Sequence, residues 1–175
     1  MKIVVFGNEH RVGALNGNQV VDLNRADARI PASLLAFIEG GQASLDAAQR
    51  AIDTAGGAPG GAVLPLSQVT FQAPWPGRRI ACMGGNYAAH LAGMGGGRPS
   101  DEPVSLESTT QRAREGGQWG FWKVPAEIPP PGATIPFPSY CEYFDYEGEA
   151  AIIFGKRGKN ISADRMDDYV WALRY

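Results

Sequence analysis

The chain opens on a short apolar run, Lys2-Ile3-Val4-Val5-Phe6, closed by Gly7, and this pattern predicts a strand. Arg11–Leu15 and Asn18–Leu23 mix small, apolar and polar positions as two further strands would. The Asn16-Gly17 pair between them favours a type I′ hairpin turn. The period then changes. Leu34, Leu35, Phe37 and Ile38 within Pro31–Glu39 predict a short helix stopped by Gly40-Gly41. A second helix is expected to run from an N-cap at Ser44 to about Ala55, with Leu45, Ala48 and Ile52 on one face. Gly56-Gly57-Ala58-Pro59-Gly60-Gly61 ends it as a flexible connector, and Val63–Phe71 reads as extended chain.

Ala73-Pro74-Trp75-Pro76-Gly77 marks a boundary, so residues 1–72 form one small domain and residues 73–175 begin another. The second starts with a strand, Arg79–Met83, and Gly84-Gly85 turns it into a short helix, Asn86–Ala92. Val104–Glu115 is a polar helix ending at Gly116-Gly117. Aromatic residues gather in Trp119-Gly120-Phe121-Trp122-Lys123, followed by a proline-rich connection from Pro125 to Pro138. A strand carrying Glu147-Gly148-Glu149 and Ala150–Phe154 comes next. Then come the loop Gly155-Lys156-Arg157-Gly158 and a closing helix, capped by Ser162 and containing Met166, Tyr169 and Val170. There is no internal repeat.

Composition narrows the functional classes. A net charge of -2 over 175 residues gives no electrostatic footprint for nucleic acid or an anionic membrane surface. No apolar stretch approaches the length of a membrane span, and the opening run is too short for a signal peptide. Cys82 and Cys141 lie too far apart for a metal-type spacing, and two cysteines make no disulfide framework. Cytoplasmic placement is the expectation. Ile3–Gly7 and Ile80–Gly84 both end a strand on glycine, yet neither opens a helix through Gly-x-Gly-x-x-Gly, so a dinucleotide fold is rejected.

The chemistry concentrates in three places. In a strand, residues i and i+2 share a face, so Glu147 and Glu149 would project two carboxylates to one side. Such a pair repels itself unless a cation neutralises it, and an all-oxygen set suits Mg2+, Mn2+ or Ca2+. The alternative is an exposed acidic strand edge. A Ca2+-binding structural domain is disfavoured, since no Asp-x-Asp-x-Asp-Gly loop is present. His90 follows two glycines that permit a mobile helix, although a lone helical histidine also serves structure alone. Lys123 reads in two ways: as a partly desolvated cation for a substrate carboxylate or enolate, or as a lysine snorkelling at the edge of an aromatic cluster. His10 has no assigned role.

From Arg79 to its end the chain resembles the fumarylacetoacetate hydrolase family. The resemblance rests on ordered blocks: Gly84-Gly85-Asn86-Tyr87-Ala88-Ala89-His90, Phe121-Trp122-Lys123-Val124-Pro125, Asp145-Tyr146-Glu147-Gly148-Glu149, and Ile153–Ser162 continuing to Asp168-Tyr169-Val170. The N-terminal module is similar to the small leading domain of longer bacterial members. The resemblance implies an α+β protein. A small N-terminal α/β module is followed by an incomplete, mixed β-roll-like catalytic domain. It further implies Mg2+ or Mn2+ on Glu147 and Glu149, a 2-oxo or 1,3-dicarbonyl acid as substrate, and a metal-stabilised enolate. C–C hydrolysis, decarboxylation, isomerisation and hydration are the family outcomes. His90 takes the place of the lid histidine, Lys123 that of a substrate-binding group, and the whole protein is expected to be a homodimer.

Two departures qualify these expectations. The family pairs its lid histidine with a glutamate three residues on, where this chain has Gly93. Either Glu107 or Glu115 substitutes, or the protein does not activate water for hydrolysis. The third metal ligand, an aspartate, is expected shortly beyond Tyr175, which makes a truncated product the simplest reading. The rival from another class is a catalytically incomplete fragment or pseudoenzyme acting as an interaction module.

Overall fold

A computed structural model describes residues 1–57, 60–75, 79–85, 87, 105–117, 119–144 and 148–174. Two compact units emerge. One combines Met1–Pro76 with Ile128–Tyr175, and the other is Gly77–Glu127. The described elements mix helices and strands, as an α+β reading requires.

The first unit is built on an antiparallel sheet of β1 (Lys2–Phe6), β2 (Arg11–Asn16), β3 (Gln19–Asp22), β4 (Val63–Pro65) and β5 (Phe71–Gln72). Its order is β4-β3-β2-β1-β5. The β2–β3 hairpin pairs Asn16 with Gln19, leaving Gly17 and Asn18 as the turn. Gly17 has φ +57°, while Asn18 is not among the residues of positive φ. A positive φ at the first central residue alone marks a type II′ turn, which corrects the expected type I′. Gly13 is needed for a different reason. A Cβ there would stand 2.7 Å from Val20 Cγ1 and 2.9 Å from the Phe6 ring.

Three helices cover this sheet: α1 (Leu23–Ala26), α2 (Leu34–Glu39) and α3 (Gly41–Asp53). Ser33 caps α2 by accepting from the Ala36 amide. The expected cap at Ser44 is not observed. Helix α3 begins at Gly41, and Ser44 is buried within it. A Cβ on Gly40 would run into the Ser44 hydroxyl, so the Gly40-Gly41 pair is a tight corner between helices. Ser44, Ala48 and Ala51 form the fully buried stripe, with Leu45 and Ile52 packed beside it. Small residues let α3 lie close to Val12, Ala14, Val21, Leu23, Ile30, Leu34, Phe37 and Ile38.

Strand β3 stops at Asp22, one residue short of expectation, because Asp22 caps α1. Its carboxylate accepts from the Arg25 amide at 3.2 Å and from Arg11 Nε and Nη2 at 2.7 and 2.8 Å. The Asp22 side chain is 1% exposed and that of Arg11 18%. The hydrogen bond to Asp22 raises the Arg11 pKa despite its burial. Downstream, Arg29 donates to Asp27 through its side chain and amide and holds that carboxyl down to about 2. The Asp27 carbonyl accepts from the Ile30 amide, a turn that delivers Ile30 to the core.

Ile128–Tyr175 adds to the same unit a two-stranded antiparallel sheet of β8 (Ala151–Phe154) and β9 (Val170–Arg174). The expected closing helix is instead a 3-10 segment, Ala163–Asp168, after Ser162, whose side chain makes no cap hydrogen bond. Val170 already belongs to β9. Ile153 and Trp171 pack against the core formed by the N-terminal sheet and helices.

The second unit contains the antiparallel pair β6 (Ile80–Met83) and β7 (Gly120–Lys123), together with α4 (Leu106–Gly116). A reciprocal pair of hydrogen bonds between Ser105 and Ser108 starts α4. Gly84 donates its amide to the Trp119 carbonyl at 3.0 Å, and a Cβ on Gly84 would collide with the Trp119 ring. Of the expected helix Asn86–Ala92, only Tyr87 lies within the described residues, and it has no regular structure.

The Arg11–Asp22 pair, with Asp22 buried and Arg11 partly so, yields a stability prediction. Breaking such a pair from one side strands the other charge and costs about 3–5 kcal/mol. Asp22→Ala is therefore expected to lower the unfolding free energy by that amount, read as a fall in urea midpoint at unchanged m-value. A loss below about 1 kcal/mol would show that Arg11 finds water instead.

Candidate metal and substrate site

Glu149 lies two residues before β8, in exposed chain outside the ladder. Of the expected strand, the described ladder covers Ala151–Phe154, and Ala151 pairs with Arg174, the last described residue of β9. Glu147 and His90 lie outside the described residues. Glu149 is therefore the member of the pair whose surroundings are defined. Among the described residues, no group of three His, Cys, Asp or Glu side chains gathers to hold a metal. The donor chemistry of a Glu-x-Glu pair still fits a hard divalent ion, because carboxylate oxygens are what such an ion prefers.

Lys123 ends β7, opposite Ile80. It is exposed, and its Nζ stands 5.7 Å from the Phe121 ring centroid. Lys123 is thus an accessible cation leaning on an aromatic face, which a carboxylate can approach from solvent. Phe121 stacks in turn on Trp119, with centroids 6.4 Å apart and planes inclined by 29°. Alternation along β7 puts Trp122 on the other face, where the Arg79 guanidinium lies 5.1 Å from its ring. Trp119, Phe121 and Trp122 are all substantially exposed.

The two carboxylates weighed as substitutes for the residue missing at Gly93 are both on α4. Glu107 is exposed in its first turn, and Glu115 near its end accepts from Gln111 Nε2 at 2.8 Å. Sequence reasoning missed that Gly120–Lys123 is a strand. Alternation of Trp119, Phe121 and Lys123 against Gly120 and Trp122 was the available signal. It also assigned no role to Trp171. An isolated tryptophan in an apolar run carries no pattern of its own, and its position follows from long-range pairing.

Among the described residues, no helix is long and apolar enough to cross a membrane. The family model described as fumarylacetoacetate (FAA) hydrolase C-terminal matches residues 79–174. Human mitochondrial oxaloacetate tautomerase FAHD2B is 33% identical over 171 residues, covering 93% of this chain and 48% of that protein. Protein Rv2993c of Mycobacterium tuberculosis is 30% identical over 106 residues, 61% of this chain and 34% of that protein. Maleylpyruvate hydrolase from Sphingobium sp. SYK-6, solved with manganese(II) and pyruvate, is similar in fold. Its TM-score is 0.64 at 20% identity, over 99% of this chain and 56% of that one. The chain spans about half the length of the curated relatives it matches. With the family model covering more than half of its residues, the chain belongs to the fumarylacetoacetate hydrolase family.

Proposed function

We propose that the whole protein is a metal-dependent enzyme acting on 2-oxo or 1,3-dicarbonyl acids. The observation that carries this is the family match over residues 79–174, which spans His90, Lys123, Glu147 and Glu149 in one ordered series. The activities of two similar proteins, an oxaloacetate tautomerase and a maleylpyruvate hydrolase, both concern 2-oxo acids. In this reading residues 1–72 are the leading domain and residues 73–175 the first part of the catalytic domain. The whole protein is a homodimer in the cytoplasm, although the tautomerase relatives are named mitochondrial.

Glu147 and Glu149 would hold Mg2+ or Mn2+. When bound, such an ion supplies Lewis-acid stabilisation of negative charge on the oxygens of the oxo acid. The chain's own groups divide the remaining work. Lys123, exposed on its aromatic support, attracts and orients a substrate carboxylate. His90 takes or returns a proton at the carbon next to the carbonyl. Hydrolysis asks more of the histidine, which must draw a proton from water and stay protonated. A neighbouring carboxylate normally stabilises that state. Gly93 supplies none. We therefore place this protein on the proton-transfer side of the family, as a tautomerase or isomerase.

A second reading, a non-catalytic interaction module, draws on one specific observation. Trp119, Phe121 and Trp122 are exposed on both faces of a two-stranded ribbon, the kind of surface that binds a partner.

Calorimetric titration with Mn2+ separates the two. The enzyme reading expects binding that Glu147→Gln weakens about tenfold or more. Absence of binding by the unsubstituted whole protein would contradict it. Glu149→Gln serves as a paired control on the fold. Glu149 is exposed, so its substitution is expected to change unfolding stability by less than about 0.5 kcal/mol while still weakening Mn2+.

A further inference from the structure

The pairing of β8 with β9 is not regular. Phe154 faces Val170 and Ile153 faces Ala172, so Trp171 is an extra residue, a β-bulge in β9. From Ile153 onward the ladder keeps step, with Ile152 opposite Leu173 and Ala151 opposite Arg174. Facing residues in an antiparallel pair share a side of the sheet, and neighbours alternate. Strict alternation from Ala172 would aim Trp171 away from the side that Ile153 occupies. Yet Ile153 and Trp171 pack against the same core. The bulge re-aims the indole.

What receives it is specific. The Trp171 ring meets Phe37 of α2 edge to face, with centroids 6.1 Å apart and planes at 89°. Phe37 is fully buried. On the other flank Gly155 leaves room, since a Cβ there would stand 3.1 Å from Trp171 Cβ. The Gly155 amide donates to the Tyr169 carbonyl at 2.9 Å, closing the loop that precedes the bulge. Among the described residues the buried indole Nε1–H meets no acceptor. Burying an unmet donor is unfavourable, so apolar contact, not a hydrogen bond, keeps the ring in place.

The bulge also sets register. Without it the pair would run on as Ile153 opposite Trp171 and Ala151 opposite Leu173. That slip of one residue moves β8 along β9 by about 3.3 Å. Glu149 enters β8 two residues ahead of Ala151, so its location inherits whichever register is chosen.

We propose that Trp171 is a positioning residue for Glu149: locked against Phe37, its bulge fixes the register of β8 and hence where Glu149 emerges. The N-terminal module thereby acts as the template on which the carboxylate-bearing hairpin is set. The inference rests on the metal role proposed for Glu147 and Glu149 only in its functional consequence; the positioning itself is a property of the hairpin.

Hydrogen exchange followed by mass spectrometry, alongside Mn2+ calorimetry on the same samples, tests it. Trp171→Phe keeps a ring against Phe37 and lacks the unmet N–H. It is expected to retain wild-type protection over residues 148–154 and wild-type Mn2+ affinity. Trp171→Ala, and Phe37→Leu should the former fail to fold, are expected to lose protection over 148–154 about tenfold. Mn2+ affinity should fall about tenfold as well, while β1–β3 lose no more protection than the hairpin does. Unchanged exchange over 148–154 in the foldable variant, or a loss over β1–β3 larger than that over 148–154, overturns the proposal. Should the wild-type protein fail to bind Mn2+, the metal reading falls, and the exchange pattern still decides the positioning role.

Discussion

A two-stranded sheet is marginal in water, and the described residues form two of them. The β8–β9 pair becomes stable by lending one side to a core it did not make. Ile153 and Trp171 close over the helical layer at Phe37, while Ile152 and Phe154 remain exposed on the other side. That borrowed core is the constraint on which the rest depends. It makes Met1–Pro76 and Ile128–Tyr175 one unit despite the fifty or so intervening residues, and it determines where the acidic segment is delivered.

The receiving core has its own fixed point. Three backbone segments turn at Asp22: β3 ends, α1 begins, and β2 is tied across through Arg11. A buried carboxylate without a cation would be costly, so the Arg11 pairing and the capped Arg25 amide act as a single arrangement. With that corner set, Leu23 and Ile30 enter the core together, and α2 presents Phe37 to the C-terminal hairpin.

Much of this was legible in the residue pattern. Apolar runs and turn residues gave β1 to β3 nearly to the residue, and the ordered blocks from Gly84 to Val170 identified the family. What was not legible depended on contacts between distant residues. Ser44 carries the chemistry of a helix cap, but the helix starts earlier, at Gly41, and Gly40 lies tightly against the Ser44 side chain. Val170 fits a helical period locally, yet pairing with Phe154 claims it for a strand. The Glu-x-Glu segment has strand spacing, and the described ladder begins at Ala151, opposite the last described residue of β9. Lys123 was readable as a cation beside aromatics, and its exposure followed only from the open ribbon it ends.

The central claim is that the acidic hairpin and the N-terminal module fold as one body. Trp171 lies at their junction and is one of four tryptophans, so a 19F-tryptophan label gives it a resolvable resonance, assigned by its loss in Trp171→Phe. Urea unfolding followed at that resonance and at the Val12 amide in β2 compares the two parts directly. The account predicts one shared midpoint. A Trp171 resonance that reaches its unfolded position while Val12 remains native would contradict it.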